Sequence, residues 1–328
     1  MLMKKNTILV TGGAGFIGSN LIEKLLERNN QIICIDNFDD FYSKSIKQNN
    51  IKISLEKPFY TFIEGDIRDK SILEKVFVEN KIDSVIHLAA KAGVRPSIAS
   101  PDKYFDVNVN GTLCLLEAMK KNDVKKLLFS SSSSVYGNNT KIPYSETDNV
   151  DFPISPYAAS KKSCELITHT YHHLNKLDVI NLRFFTVFGP RQRPDLAIYK
   201  FFKNLYAGKP IDMYGDGSTS RDYTYIDDIT EGICNSLNYL LENQNVYEII
   251  NLGNSTPIKL SDLIGTIEEI TNRKFLINYL PLQEGDVNNT FADIVKAKNM
   301  IHYNPANTIK EGLLKFKNWY EKNESITH

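Results

Sequence analysis

The sequence predicts an α/β fold of the Rossmann type, a doubly wound parallel sheet with a smaller C-terminal α/β part. In the first half of the chain, short apolar segments alternate with amphipathic ones, which is typical of parallel strands joined by helical crossovers. A glycine-rich turn directly follows the first apolar segment. After about residue 185 the alternation fades into a stretch rich in Gly, Pro, Arg and Asp, as a loop-built binding surface would be.

Six apolar segments of the first half are predicted to be strands, namely 7–11, 31–36, 60–64, 84–88, 126–131 and 179–184. Helical periodicity between them is clearest over 16–27, where Ile17 and Leu21 share one face. Several of the strand segments are apolar without a break, as strands buried on both faces are. A further strand is predicted over 246–252, a helix from about Leu260 and a last helix over roughly 308–322.

Composition and charge argue against several classes of protein. Lys+Arg and Asp+Glu both total 39 in 328 residues, so no long-range charge favours nucleic acid or an anionic membrane. The four cysteines lack C-x-x-C spacing, and the neighbouring His169, His172 and His173 are expected on an exposed or dimer-facing helix surface, so no metal is expected. The first apolar run ends at Gly12, too early for a signal peptide or membrane span, which predicts a cytoplasmic protein.

The glycine-rich turn has the spacing of a dinucleotide-binding loop. Gly12, Gly15 and Gly18 recur at intervals of three, after a predicted strand and at the start of a predicted helix. Gly12 permits the tight turn, Gly15 the approach of a pyrophosphate and Gly18 the close packing of the helix on the sheet. Asp36 ends the second strand, where a carboxylate accepts hydrogen bonds from ribose hydroxyls and repels a 2′-phosphate. The pattern therefore favours NAD over NADP.

A tyrosine and a lysine follow a serine run in the middle of the chain. Ser155 is a suitable N-cap and Pro156 a suitable first residue of a helix, on which Tyr157 and Lys161 share a face. An ammonium near a phenol stabilises the phenolate, which can then remove a proton from a sugar hydroxyl. The bare spacing is common on exposed helices. The serines of 130–134, however, continue an apolar strand to the edge where ligands bind, which indicates a site.

With these motifs the chain resembles the extended short-chain dehydrogenases/reductases, specifically the nucleotide-sugar epimerase/dehydratase family. The segments that carry the resemblance are 11–18, 65–69, 87–90, 130–137, 183–191 and 221–228, together with Tyr157 and Lys161. It implies an NAD-binding Rossmann domain over 1–185 that also takes in 222–252. It further implies a nucleotide-sugar-binding domain formed by 186–221 and 253–328.

The resemblance implies that NAD is held tightly, with the adenine near Asp66 and Ile67. The residues implied to contact the cofactor are Gly12, Gly15, Phe16, Ile17, Gly18, Asp36, Asn37, Asp66, Ile67, Ala89, Ala90, Lys91, Asn108, Tyr157 and Lys161. Tyr136 is expected to pack on the cofactor side of the site.

The resemblance also implies that Ser132, Tyr157 and Lys161 are catalytic and that the substrate is a UDP-sugar. The residues implied to bind it are Arg95, Ser132, Ser133, Ser134, Tyr157, Thr186, Arg193, Tyr214, Arg221 and Asp286. Among them Arg221, assisted by Arg193, would clamp the diphosphate, because a guanidinium fork suits that group. Asp286 would contact the nucleotide ribose.

Departures within the family narrow the reaction. Its 4,6-dehydratases carry Thr-Asp-Glu where this chain has Ser132-Ser133-Ser134, and its uronate decarboxylases usually keep a glutamate at the position of Ser134. Epimerisation at carbon 4 therefore remains. The segments 184–195 and 92–95 look most like UDP-glucuronate 4-epimerases, and we expect Ser133, Ser134 and Thr186 to bind the substrate carboxylate.

Other interpretations stay open. UDP-N-acetylglucosamine, its uronate and UDP-glucose are alternative substrates. A net dehydrogenase and a non-catalytic NAD-binding regulator are alternative functions. The family commonly forms dimers through two helices, here 104–121 and 157–174, and its reactions serve polysaccharide biosynthesis. Asp227 and Asp228 are expected to cap the helix that follows them.

Overall fold

The structure, a computed structural model, describes residues 6–281 and 289–324, with the main chain alone at Glu324. It contains twelve strands within these residues, which are β1 Thr7–Thr11, β2 Gln31–Asp36, β3 Tyr60–Glu64, β4 Ser84–His87, β5 Lys126–Ser132, β6 Asp178–Phe184, β7 Thr186–Phe188, β8 Ile211–Tyr214, β9 Ser220–Tyr225, β10 Tyr247–Leu252, β11 Pro257–Lys259 and β12 Ile277–Leu280. Seven of them form one wholly parallel sheet in the order β3-β2-β1-β4-β5-β6-β10. From β1 the chain adds β2 and β3 on one side of the sheet and then β4, β5, β6 and β10 on the other. The strand order thus reverses between β1 and β4, and α/β sheets bind ligands at such a point.

Helices cover both faces of this sheet. The α-helices are α1 Phe16–Glu27, α2 Lys44–Leu55, α3 Lys70–Glu79, α4 Val94–Ala99, α5 Pro101–Tyr104, α6 Gly111–Lys121, α7 Pro156–Asn175, α8 Ala197–Tyr206, α9 Ile226–Glu242, α10 Leu260–Thr271, α11 Val295–Ile301 and α12 Ile309–Glu324. Alternate strand residues face opposite cores, as the two-residue period of a strand requires. Leu127 and Phe129 pack with α3, α6 and α7, whereas Leu128 packs with α1 and α9.

Two smaller sheets lie beyond the main one. β9 pairs in parallel with β7 and antiparallel with β11, and β8 pairs with β12. The fold class matches the prediction, including the strand over 246–252, which joins the main sheet as β10. The prediction that 222–252 lies wholly in the Rossmann part differs from the structure at its start, because 222–225 belong to β9 in the small sheet.

Three local predictions differ from the structure. The helix expected over 104–121 is present, but its first part, Phe105–Asn110, is π-helical and only Gly111–Lys121, α6, is a regular α-helix. Asp227 and Asp228 do not cap α9, because Tyr225 is its N-cap residue and Asp228 instead accepts hydrogen bonds from the main-chain N–H groups of Ala306 and Asn307. Tyr136 packs in the core, where its hydroxyl donates to Asn251 Oδ1 at 2.7 Å, and does not line the cofactor side.

The part of the chain that the structure describes has no helix both long and apolar enough to cross a membrane. Cys34 is fully buried in an apolar core, and all four cysteines are free thiols.

Candidate active site

A cavity of about 620 Å³ opens at the carboxyl edge of the main sheet and extends toward the small sheet. It gathers most of the predicted site residues, namely Gly12, Gly15, Phe16, Ile17, Gly18, Asp36, Asn37, Asp66, Ile67, Ala89, Ala90, Lys91, Ser132, Ser133, Ser134, Tyr157, Lys161, Thr186, Arg193 and Arg221. Segments far apart in the chain meet there because parallel strands end at a common edge.

The glycine turn forms one end of the cavity. Gly12 has φ +72°, and a Cβ there would lie 2.6 Å from the main-chain nitrogen of Ala89. A Cβ on Gly18 would lie 2.4 Å from Gly12 O, so α1 packs against the turn at a distance only glycine allows. The first turn of α1 has no side-chain cap, and Gly15 and Phe16 line the cavity. This cradle fits a dinucleotide pyrophosphate at a helix N-terminus.

Two carboxylates stand where the adenosine of such a dinucleotide would lie. Asp36 Oδ1 accepts from Phe38 N at 2.8 Å and Oδ2 from Ala14 N at 3.0 Å, and burial raises the pKa of this carboxyl. Each oxygen keeps a lone pair for a ribose hydroxyl. Arg68, through a hydrogen bond to Asp66, lowers the pKa of that carboxyl to about 2, so it is ionised.

Asn108 does not line the cavity, in contrast to the prediction that it contacts the cofactor. It is buried, and its amide accepts from Lys91 N at 2.8 Å and donates to Lys91 O at 3.0 Å. The same amide donates to Ser160 Oγ at 2.9 Å. Asn108 therefore fixes the main chain of Lys91, a cavity residue, against the helix that carries Tyr157.

The carboxyl end of β5 and the start of α7 bring the predicted catalytic hydroxyls together. Ser155 accepts from Ala158 N at 3.1 Å and so caps α7, as predicted. Ser132 Oγ accepts from Ser134 N at 3.2 Å and donates to Ser134 Oγ at 3.1 Å. Burial raises the pKa of Tyr157, while a hydrogen bond with Ser132 and the charge of Arg193 lower it.

Lys161 lies on the predicted face of α7 but makes a different contact from the one expected. Its Nζ donates to Ser130 O at 2.6 Å and lies 5.0 Å from the centre of the Phe129 ring. Burial lowers the pKa of Lys161 to about 8. In this structure Ser132 and Arg193, rather than Lys161, are the groups that lower the pKa of Tyr157.

Polar groups also line the far end of the cavity. Ser133, Ser134 and Thr186 are half-buried there, and Arg221 donates to Ser220 O at 2.9 Å. Arg193 pairs with Asp195 at 2.8 Å. A cavity with dinucleotide features at one end thus has two guanidinium groups and a row of hydroxyls at the other, which suits an anionic, hydroxyl-rich ligand.

Two predicted substrate residues lie outside the cavity. Arg95 and Tyr214 stack on each other, 5.3 Å from guanidinium to ring centre, and are not among the cavity-lining residues. Asp286 lies outside the described residues.

The sequence reasoning missed a segment that covers the adenosine end. Asp39, Phe41, Tyr42 and Lys47 line the cavity, and Asp39 accepts from Lys91 Nζ at 2.9 Å. The Phe41 ring lies 5.2 Å from the Arg193 guanidinium, so this segment spans the site. Their position just after Asp36 was the available signal, since loops at strand ends carry binding residues.

Known proteins share both sequence and fold with this chain. The family described as GDP-mannose 4,6 dehydratase matches residues 9–316. A UDP-glucuronate 4-epimerase of Thermodesulfobacterium geofontis is 43% identical over 316 residues, 96% of each chain. The solved UDP-glucuronic acid 4-epimerase of Bacillus cereus, in complex with UDP-glucuronic acid and NAD, is 35% identical with a TM-score of 0.91, covering 97% of this chain and 99% of that one. A UDP-N-acetylglucosamine 4-epimerase from Methanobrevibacter ruminantium M1, in complex with UDP-N-acetylmuramic acid, is 33% identical with a TM-score of 0.88, covering 98% and 100%.

Proposed function

This chain belongs to the GDP-mannose 4,6-dehydratase family of extended short-chain dehydrogenases/reductases, and we propose from that premise that it is an NAD-dependent 4-epimerase of a UDP-sugar. UDP-glucuronate is the proposed substrate and UDP-galacturonate the product, with a 4-keto sugar between them. The observation that carries the proposal is the hydroxyl row Ser132-Ser133-Ser134 beside Tyr157, in the same cavity as the glycine turn.

The cofactor end of the cavity fits NAD. Gly12, Gly15 and Gly18 would hold its pyrophosphate against α1, and Asp36 would accept from the adenosine ribose. NAD held there would supply reversible hydride transfer at carbon 4 of the sugar, which involves no net oxidation.

Tyr157 and Ser132 handle the proton of the 4-hydroxyl. The phenol oxygen takes this proton as the sugar is oxidised and gives it back when the 4-keto sugar is reduced. Because burial raises the pKa of Tyr157, the phenolate needs nearby positive charge and hydrogen bonds, which Ser132 and Arg193 supply. Lys161, whose Nζ donates to Ser130 O, lines the same cavity and would help to position the cofactor.

The hydroxyl row favours epimerisation over the related eliminations. Removing water across carbons 5 and 6 needs an acid and a base, and in this chain serines stand where the dehydratases carry Asp and Glu. Without such a pair the 4-keto sugar persists until it is reduced again.

Two serines of this row, together with Thr186, select the sugar. Ser133, Ser134 and Thr186 would hydrogen-bond the carboxylate of a uronate without forming an ion pair. The sugar can then leave these hydroxyls, rotate about its diphosphate and present its other face, while Arg221 holds the diphosphate. A sugar bound by a buried salt bridge would rotate less readily.

The protein is further proposed to act as a homodimer in the cytoplasm. Leu166 and Leu174, two turns apart on α7, leave 59% and 67% of their surface exposed, as an interface on this helix would require. Free cysteines suit a reducing compartment. Because a UDP-linked uronate is a glycosyl donor, the product suits polysaccharide biosynthesis.

Product analysis tests the proposal. The purified protein is incubated with UDP-glucuronate, UDP-glucose and UDP-N-acetylglucosamine in turn, without added cofactor. We expect interconversion of UDP-glucuronate and UDP-galacturonate with no accumulation of NADH. Release of carbon dioxide, or a stable 4-keto-6-deoxy product, would contradict epimerisation. Turnover of the N-acetyl sugar alone would contradict the uronate.

A paired substitution tests the carboxylate site. Ser134→Val with Thr186→Val should raise the KM for UDP-glucuronate about a hundredfold or more, since each of the two lost hydrogen bonds to a charged group is worth about 1.5–3 kcal/mol. Ser163→Val, on the outer part of α7, is the matched control and should leave KM unchanged. Unchanged uronate turnover in the paired variant would show that the carboxylate binds elsewhere.

A further inference from the structure

A buried ion pair lies directly beneath the serine run and takes no part in the reaction described above. Glu165 Oε1 accepts from Arg183 Nε at 2.9 Å, and Oε2 accepts from Arg183 Nη2 at 2.9 Å. Both side chains are 1% exposed. Lys162 Nζ lies 3.6 Å from the same carboxylate.

The carboxylate of this pair also binds the strand that carries the catalytic serine. Ser131 Oγ donates to Glu165 Oε1 at 2.6 Å, and Ser131 is paired in register with Arg183 across β5 and β6. Glu165 lies four residues after Lys161, which lies four after Tyr157, so one face of α7 carries all three. These three residues contact three consecutive serines, since Tyr157 interacts with Ser132, Lys161 with Ser130 and Glu165 with Ser131.

The guanidinium of the pair holds the other end of the same turn. Ser132 is the N-cap of the 3₁₀ turn Ser133–Tyr136, whose last ring lies 4.8 Å from the Arg183 guanidinium. The hydroxyl of Tyr136 donates to Asn251. The turn that presents the site hydroxyls is therefore fixed on both sides, by Ser131 before it and by Tyr136 after it, and both anchors lead to the one ion pair.

Stability alone does not account for this arrangement. Replacing a buried ion pair by apolar residues of similar volume is often neutral or stabilising, because desolvation offsets the attraction between the charges. What apolar residues could not provide is an acceptor for Ser131.

We propose that Glu165, paired with Arg183, is a positioning residue that fixes the Ser132 hydroxyl against the Tyr157 phenol through Ser131. The inference rests on the proposed function, because the hydroxyl it positions is the one that shares the substrate proton. A misplacement of about 1 Å at a reacting group can reduce a rate by about a hundredfold.

Single substitutions on either side of the contact test the proposal. Ser131→Ala removes the hydroxyl and leaves the ion pair intact, and Glu165→Gln keeps an oxygen but removes the charge. We expect each to lower kcat about tenfold or more, to change the KM for UDP-glucuronate less than twofold, and to retain bound NAD. The double variant should be hardly slower than the slower single variant, because both substitutions act on the same contact, which Ser131→Ala removes and Glu165→Gln weakens.

Thr168→Val is the matched control. Thr168 lies on the same helix and is also buried, with its hydroxyl 3.0 Å from Asn181 Oδ1, but it does not contact the serine turn. This variant should lose stability and keep kcat. Equal losses of kcat in Thr168→Val and Ser131→Ala, or a raised KM with kcat unchanged, would overturn the proposal.

Hydrogen exchange separates this inference from the proposed function. Amides over 132–136 should exchange faster in Ser131→Ala and Glu165→Gln than in the wild type, and at the wild-type rate in Thr168→Val. If the wild type epimerises no UDP-sugar, the proposed function fails, yet the exchange rates still decide whether the pair holds the turn. Unchanged exchange in both site variants would overturn the positioning role. If Glu165→Gln does not fold, Ser131→Ala decides alone.

Discussion

The phenol of Tyr157 stands beside Ser132 and in the field of Arg193, which both lower a pKa that burial raises. A proton transferred by one positioned side chain contributes about 10²–10⁴ to a rate. Tyr157→Phe should therefore lower kcat by about that factor while the protein keeps its fold and its NAD. The measurement is product formation per enzyme-bound NAD. Wild-type turnover in a folded, NAD-loaded Tyr157→Phe variant would remove the phenol from the mechanism.

Lys161 makes stability depend on pH in a direction that can be worked out. Burial lowers its pKa from 10.5 to about 8, so between these values the unfolded chain holds a proton that the folded protein lacks. Stability then rises with pH across this window. Relative to Lys161→Met, the NAD-free wild type should gain up to about 3 kcal/mol between pH 8 and 10.5, at about 1.4 kcal/mol per pKa unit.

Denaturant unfolding of both proteins at several pH values measures this difference. Tyrosines and carboxyls titrate in both, so their contributions cancel in the comparison. A stability difference that stays constant above pH 8, or that moves in favour of Lys161→Met, would show that the lysine is not desolvated in the NAD-free protein.

Among the elements, the junction of β1 and α1 depends on one close approach. A Cβ on Gly18 would lie 2.4 Å from Gly12 O, a main-chain atom that cannot move without the turn. Gly18→Ala should push α1 away from the turn, lower the affinity for NAD at least tenfold and reduce stability by roughly 1–3 kcal/mol, as overpacking does. Fluorescence titration with NAD measures the first effect.

Gly265, inside α10, provides the control for this substitution. A Cβ there would have no atom within 4 Å, so Gly265→Ala should leave NAD binding unchanged and stabilise the helix by roughly 0.5–1 kcal/mol. Equal loss of NAD in both variants would mean that the loss at Gly18 reflects general instability rather than the close approach.

The elements also show what the sequence could and could not predict. The bounds of α1 were predictable because an apolar face of period 3.6 begins right after the glycine turn. The π-helical turn Phe105–Asn110 was not, since a hydrogen-bond shift of one residue leaves the apolar pattern unchanged. Sequence motifs identified most of the residues that line the cavity. The contact of Lys161 with Ser130 O and the position of Asn108 outside the cavity depend instead on packing that no local pattern encodes.

For the whole molecule, the order of the strands explains why one cavity serves both ligands. β1 and β4 are neighbouring strands on either side of the point where the strand order reverses, so the glycine turn and the Ala89–Ala90 segment lie side by side at the crevice. β5 and β6 continue that edge toward the small sheet, which contributes Thr186 from β7 and Arg221 from β9. A dinucleotide and a nucleotide-sugar can therefore meet with the sugar beside Tyr157.

The outer face of α7 leads to a prediction about assembly. Leu166 and Leu174 are exposed on α7 whereas Glu165 on the same helix is buried, so a second copy packed on the leucines would bury them without disturbing the ion pair. Burial of such side chains stabilises an interface by about 1.5–3 kcal/mol each. By light scattering after size-exclusion chromatography, the wild type should have about twice the chain mass of 37.4 kDa, and Leu166→Glu with Leu174→Glu the single mass. Val295→Glu, an equally exposed position on α11, should remain a dimer. A monomeric wild type, or a dimer that survives both glutamates, would show that α7 is not the interface.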